Sequence, residues 1–176
     1  MENKNFFTNN KYIIIAISFF VLDLGLTWYF LNYSDYADEG NPLFDIDGGY
    51  LALVLNLLYL ITIFMLERFV VRKYETIIIE SNNAIDYTKK LMNSDKYNFM
   101  ITSFVFAFII STLASRLVAI IDWIIFGIYK ANFYQTKYVM LRSKMPLQRF
   151  DLVVTVIVFI VSLMLWYKLE HKKQKN

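Results

Sequence analysis

A few polar side chains interrupt the long apolar stretches of this sequence, and they are its best candidates for chemistry. Asp23 stands inside the run FFVLDLGLTWYF, and Thr27 follows it by one helical turn. Asn56 lies in a second apolar run, and Arg116 and Asp122 lie in a third. A charged or polar side chain is costly in hydrocarbon unless it faces a partner or a water-filled cavity, so each of these residues marks a candidate site.

The depth of these residues, at about 1.5 Å per helical residue, places Asp23 near the middle of its span and Arg116 near or somewhat beyond the midplane. Asp23, Thr27 and Arg116 are therefore expected to meet. One hypothesis is a buried ion pair that fixes helix register. The other is a polar binding site that opens outward, with Glu39 and Asn41 at its lip. Burial of two charges contributes little to stability, so a pair inside a membrane needs some further reason to persist.

Several kinds of site are excluded or disfavoured by composition. The chain has no cysteine, which excludes disulfides and thiolate metal sites. His171 is the only histidine and lies in a lysine-rich tail, where we expect it to be solvated. We therefore expect no metal site and no cofactor. The lysines flank apolar spans and are explained by membrane topology, so nucleic acid is not an expected partner.

The elements that must position these residues are membrane-spanning helices. Hydrophobic residues make up 57% of the 176 residues, more than the roughly half that is typical of a soluble domain. Apolar runs at residues 12–31, 50–71, 97–122 and 152–167 are long enough to cross the hydrocarbon core. The predicted fold class is all-α, an integral membrane four-helix bundle that forms a single domain over residues 1–176.

The distribution of lysine and arginine predicts the orientation of this bundle. The head, the second connection and the tail are basic, whereas the connection over residues 32–49 is acidic and has neither lysine nor arginine. We expect both termini to be cytoplasmic and the acidic loop to lie outside the cell membrane. The third connection, residues 130–150, is also basic. Either it lies outside against the acidic loop, or residues 117–129 form a half-span or an interfacial helix and the loop stays inside.

One face of the third span carries a small residue at every fourth position. The residues are Ser103, Ala107, Ser111, Ser115 and Ala119. Small side chains let two helix backbones approach closely in lipid, so this ladder is a predicted packing seam. It serves either packing inside one chain or contact with a second copy or another membrane protein. The bilayer is the partner that the apolar spans themselves imply.

The second connection is long enough to form a structure of its own. The sequence predicts a continuation of the second helix beyond Arg68, a break at residues 81–83 and a short amphipathic helix. One hypothesis places Ile85, Leu91 and Met92 of this helix at the membrane interface. The favoured alternative is a solvated helical hairpin.

The first hairpin has a further pattern: Asp23-Leu-Gly-Leu-Thr27 is followed by Glu39-Gly-Asn41-Pro42. This pattern resembles that of the DUF5658-type small four-helix membrane proteins of archaea and bacteria, which carry a comparable D-x-x-x-T and E-A-N-P. A glycine replaces the usual alanine here, and the spacer between the two motifs is longer. The resemblance covers about a quarter of the chain. It implies four spans and a membrane location, but no established chemistry.

Together these patterns predict a multi-pass membrane protein with an outward-facing polar site. The site binds a small polar or cationic species, or the chain serves as a helix-packing subunit of a membrane complex. The alternative is an intramembrane enzyme that uses Asp23 and Glu39 as acid and base on a lipid-like substrate, since a buried carboxyl group with a raised pKa suits such chemistry.

Overall fold

Helices account for the secondary structure of the described part of the chain. A computed structural model describes residues 10–33, 49–75, 77–128, 133–144 and 150–173. Over these residues the chain forms helices and no strand. The helices are α1 (Lys11–Tyr33), α2 (Tyr50–Lys73), α3 (Ala84–Met92), α4 (Tyr97–Ile128), α5 (Phe133–Ser143) and α6 (Phe150–Lys173).

Four of these helices, α1, α2, α4 and α6, are long and apolar enough to cross a membrane. The predicted all-α class with four long apolar helices is confirmed. α4 is the longest, with 32 residues, and continues without a break to Ile128. At 1.5 Å per residue it is about 48 Å long, which exceeds the thickness of the hydrocarbon core. The half-span hypothesis for residues 117–129 is wrong, because the helix does not stop or turn there.

α1 and α4 run in the same direction. The Tyr12 and Phe106 rings meet at 5.7 Å near the start of α1, and the Phe30 and Trp123 rings stack at 5.9 Å near its end. The contacts therefore advance together along both helices. Such edge-to-face and stacked aromatic pairs add to the packing of two helices in lipid, where water supplies no hydrophobic drive between them.

α2 and α6 run in the opposite direction to α1 and α4. Glu67, late in α2, contacts the backbone of Ile13 at the start of α1. Tyr167, late in α6, stacks at 6.3 Å on Phe99 at the start of α4. The ends of the long helices thus fall into two groups. We name the group with Lys11, Lys73, Tyr97 and Lys173 the basic end, and the group with Tyr33, Tyr50, Ile128 and Phe150 the far end.

α5 belongs to the far end, because the Tyr138 ring meets Phe150 at 6.1 Å. The chain also leaves α1 after Tyr33 at this end. The helix ends that flank the first connection and those that flank the third therefore lie at the same end of the bundle. The topology in which the third connection lies against the acidic loop requires this arrangement.

The small-residue ladder of α4 faces other helices of the same chain. Ser103, Ala107 and Ser111 are buried, while Ser115 and Ala119 are partly buried. The Ser103 hydroxyl lies 3.0 Å from the Tyr167 hydroxyl on α6. The part of the seam from Ser103 to Ser111 is therefore used for packing inside one chain.

A leucine at position 107 is expected to lower the free energy of unfolding by about 1–3 kcal/mol, because Ala107 is fully buried at this seam and extra carbons would force the helices apart. Unfolding in mixed micelles by added dodecyl sulfate, followed by circular dichroism, measures the change. Phe108→Leu is the matched control, since the adjacent Phe108 is exposed. Equal losses in the two variants would contradict the packing role.

The second connection packs onto the basic end of the bundle. Tyr87 and Leu91 of α3 are buried, and the Ser81 hydroxyl lies 2.9 Å from His171 Nδ1. The Tyr74 hydroxyl donates to Glu170 at 2.8 Å. The expectation of a solvated hairpin is wrong, and so is that of a solvated His171, because both are held by partners distant in sequence.

α3 itself is fixed by local polar contacts. The Asn83 side chain accepts a hydrogen bond from the Asp86 backbone N–H at 2.9 Å and caps the helix. The Lys90 ammonium hydrogen-bonds the Asp86 carboxylate, and together with the Asn82 backbone N–H it lowers the pKa of that carboxyl group. These contacts hold one side of the helix in water while the opposite side packs on the bundle.

Candidate functional site

Arg116 of α4 is the centre of a polar cluster to which three helices contribute. Its Nη1 lies 3.5 Å from Oδ2 of Asp23 on α1. Its Nη2 donates a hydrogen bond to Oδ1 of Asn56 on α2. The guanidinium also lies over the ring of Tyr59, 4.9 Å from its centroid. A guanidinium combines planar hydrogen bonding with stacking on an aromatic face, so this arrangement suits arginine and not lysine.

Further side chains hold the members of the cluster in place. The Trp123 indole N–H donates to the Asp23 carboxylate. The Tyr59 hydroxyl donates to Thr112 Oγ1 at 3.3 Å, and Thr112 in turn donates to the Ile109 backbone carbonyl at 3.0 Å. Trp123 and Thr112 both belong to α4, so the helix that carries Arg116 also holds Asp23 and Tyr59 in place.

The cluster lies in the half of the bundle nearer the far end. About 13 Å of helix separates Arg116 from Ile125, where the spanning part of α4 ends, and about 28 Å separates it from Tyr97. The side chains are not fully enclosed: 27% of Arg116 and 18% of Asp23 is exposed. The cluster, which we name the polar notch, is thus partly exposed inside a spanning segment.

The other half of the bundle is closed by a packed core. Ile63, Phe99 and Ile109 are fully buried there, together with Tyr12 and Trp166. Tyr59 of the cluster packs against this core. These buried residues therefore lie between the notch and the basic end.

The structure brings together Asp23, Asn56 and Arg116 from the set of predicted site residues. Thr27 is buried one turn beyond Asp23, and it has no hydrogen bond to this cluster among the described contacts. Glu39 and Asn41 lie outside the described residues, as does Pro42. The predicted lip of the site is therefore not part of the described geometry.

Asp122 belongs to a different contact. It accepts a hydrogen bond from the Tyr138 hydroxyl of α5. Six residues separate Asp122 from Arg116, a rotation that places their side chains about 120° apart around α4. The described contact of Asp122 is therefore with α5 at the far end, and its membership in one site with Arg116 stays a prediction.

Three residues of the cluster were missed by sequence reasoning, although helical spacing points to them. Tyr59 follows Asn56 by three residues. Thr112 precedes Arg116 by four, and Trp123 follows it by seven. Residues at these spacings share a helix face, so a search around each intramembrane charge would have found them.

Glu67 is an intramembrane charge that sequence reasoning missed. Its side chain is 2% exposed. Oε1 accepts from the Tyr12 backbone N–H at 3.3 Å, and Oε2 accepts from Ile13 N–H at 3.0 Å. The first N–H groups of a helix lack partners within it, so Glu67 caps α1 from a neighbouring helix. Its position inside an apolar run was the available signal.

Among the described residues, no group of three or more His, Asp or Glu side chains is placed to hold a metal ion. Comparisons with protein-family models, with curated proteins and with solved structures find no match. The four apolar helices define the chain as a multi-pass α-helical membrane protein. The resemblance of its first hairpin to DUF5658-type proteins stays a prediction.

Proposed function

We propose that this multi-pass membrane protein binds a small polar molecule at the cluster of Asp23, Asn56 and Arg116. The observation that carries the proposal is the 27% exposure of Arg116 inside a spanning segment. A purely structural ion pair in lipid is expected to be closed, with a contact of about 2.8 Å. Here the two charges are 3.5 Å apart, and part of each is uncovered.

The chemistry of the cluster favours a molecule with both hydrogen-bond donors and acceptors. Arg116 presents N–H donors, and Asp23 presents carboxylate oxygens. Their charges compensate each other, so Arg116 would repel a bare cation brought to Asp23. A neutral or zwitterionic molecule is therefore a better ligand than the simple cation that the sequence also allowed.

The positive-inside rule places the basic end of the bundle in the cytoplasm. The exposed basic residues at or near this end are Lys11, Arg68, Arg72, Lys73, Lys89, Lys90, Lys96, Lys168 and Lys172. In this orientation both described chain ends, Lys11 and Lys173, lie inside. The polar notch then opens outward, on the side of the acidic connection at residues 32–49.

Binding fits the described geometry better than the other hypotheses. An open channel conflicts with the packed core around Ile63 and Ile109. A subunit role through the ladder of α4 conflicts with the burial of Ala107 inside one chain. The enzymatic alternative rests on Glu39, which lies outside the described residues.

Thermal unfolding in detergent tests the proposed class of ligand. Free amino acids as zwitterionic probes are expected to raise the unfolding temperature of the native chain, and tetramethylammonium as a bare cation is not. A probe present at a hundred times its dissociation constant raises the free energy of unfolding by about 2.7 kcal/mol. Arg116→Gln should abolish the response, and Arg72→Gln, which removes an exposed arginine at the basic end, should keep it.

Two outcomes would reject the proposal. In one, none of the zwitterions stabilises the native chain. In the other, a zwitterion stabilises the Arg116→Gln and Arg72→Gln variants equally, which would place binding elsewhere. Native mass spectrometry of the same preparations reports whether a co-purified polar molecule is lost together with Arg116.

A further inference from the structure

Residues 77–92, which we name the basic cap because they cover the basic end of the bundle, present two different faces. One face packs on the bundle through the fully buried Tyr87 and Leu91 of α3. The preceding stretch is held as well, because Ile77 is buried and Ser81 contacts His171. The cap is therefore a fixed part of the basic end, and its outer face has a defined composition.

The outer face of the cap is apolar at three positions. Ile85 and Met92 of α3 are 71% and 65% exposed, and Ile78 in the preceding stretch is 83% exposed. Ile85, Lys89 and Met92 follow the i, i+4, i+7 spacing, so they form one stripe on the helix. Apolar side chains alternating with lysine on one exposed stripe are typical of a helix that lies in a membrane interface.

The positive charge of this stripe, at Lys89, is free to interact with a partner outside the described residues. Lys90 is occupied, since its Nζ lies 3.1 Å from Asp86 and donates to the Glu80 carbonyl at 2.8 Å. Lys89 is exposed and forms no salt bridge with a described residue. Exposed Arg72 and Lys168 add positive charge at the same end of the bundle. Within residues 77–92 the two lysines are balanced by Glu80 and Asp86, so the net positive charge comes from the surrounding end of the bundle, and the complementary partner is anionic.

The bilayer surface is the anionic partner that the chain itself brings close. α2 ends at Lys73 and α4 begins at Tyr97, so the cap is tied on both sides to the ends of spanning helices. We propose that the basic cap binds the anionic lipid surface at this end. Ile78, Ile85 and Met92 enter the boundary between headgroups and acyl chains. Lys89 pairs with lipid phosphate.

Fluorescence quenching tests this contact on the full chain, because the absence of native cysteine permits single-site labelling. An environment-sensitive fluorophore is attached at Ile85→Cys or Met92→Cys in nanodiscs of phosphatidylcholine, with or without phosphatidylglycerol. Spin-labelled lipid is expected to quench both labels, and more strongly with phosphatidylglycerol. A label at Asn93→Cys, an exposed position about 80° around the helix from Ile85, is expected to be quenched by aqueous iodide instead.

The role of charge is tested with Lys89→Gln. A single lysine near an anionic surface changes the partition of a segment onto that surface by about fivefold. The increase in lipid quenching that phosphatidylglycerol causes should therefore fall by that factor. Lys144→Gln makes the same charge change on an exposed lysine beyond α5, away from the cap, and should leave the gain intact. Iodide quenching of the labels at 85 and 92 without lipid quenching would overturn the proposal and leave the stripe facing water or a protein.

Discussion

Replacement of Arg116 by glutamine is expected to lower the free energy of unfolding by about 2–3 kcal/mol. The change leaves the Asp23 carboxylate in a spanning segment without its cation, and it leaves Asn56 without its donor. Removal of one partner from a fully buried pair costs about 3–5 kcal/mol, and the partial exposure of this pair reduces the loss. Unfolding by dodecyl sulfate in mixed micelles measures the change in the free energy of unfolding.

Asp23→Asn is expected to cost less than Arg116→Gln. Arg116 keeps Asn56 and the Tyr59 ring, and its long side chain can reach toward the interface. The double variant should recover part of the loss, because neither charge then remains alone. Comparison of the two single variants with the double variant gives the coupling energy between the side chains. Groups in direct contact couple by about 0.5–3 kcal/mol, and we expect a coupling energy of at least about 1 kcal/mol here.

Arg72→Gln is the matched control for the first prediction, since it removes an arginine that is exposed at the basic end. Its effect should stay within about 0.5 kcal/mol. If Arg116→Gln is no more harmful than Arg72→Gln, or if the two losses at positions 23 and 116 simply add, the two residues do not stabilise the fold as a pair.

Replacement of Glu67 by glutamine is expected to cost a similar amount, about 2–3 kcal/mol. The carboxylate accepts from two backbone N–H groups of α1, whereas glutamine has one acceptor oxygen and turns its NH₂ toward the other N–H. A buried donor left without an acceptor costs about 1–3 kcal/mol, and loss of the negative charge at a helix N-terminus adds to this.

Hydrogen exchange gives this second prediction a local readout. The Tyr12 and Ile13 amides should exchange faster in Glu67→Gln, while amides in the middle of α1 should change less. Glu75→Gln is the control, because Glu75 is exposed just beyond α2. Unchanged protection of Tyr12 and Ile13 would mean that Glu67 does not cap α1.

The spanning helices could be predicted from sequence because their formation depends on a local property. An apolar run long enough for the hydrocarbon core must be helical, since only a helix satisfies every backbone group within one segment. The observed helices run beyond the predicted spans, for example to Ile128 instead of residue 122. Helical hydrogen bonding continues through the polar and aromatic residues that end an apolar run, so hydropathy underestimates length.

The candidate site was predictable in part for the same reason. Asp23, Asn56 and Arg116 stand out because each is costly in lipid, and estimates of depth placed Asp23 and Arg116 together. Depth does not report which way a side chain points around its helix. Asp122 is at a plausible depth, yet its rotation turns it toward Tyr138 on α5.

The sequence by itself therefore determined the class of protein, the positions of its spanning segments and several of the intramembrane polar residues, because all three follow from the cost of polar groups in hydrocarbon. Only the tertiary structure decided how these residues are partnered. Glu67 caps a helix that begins 56 residues earlier, and His171 holds a connection 90 residues away. No local pattern encodes such contacts, since they depend on the rotation and mutual packing of whole helices.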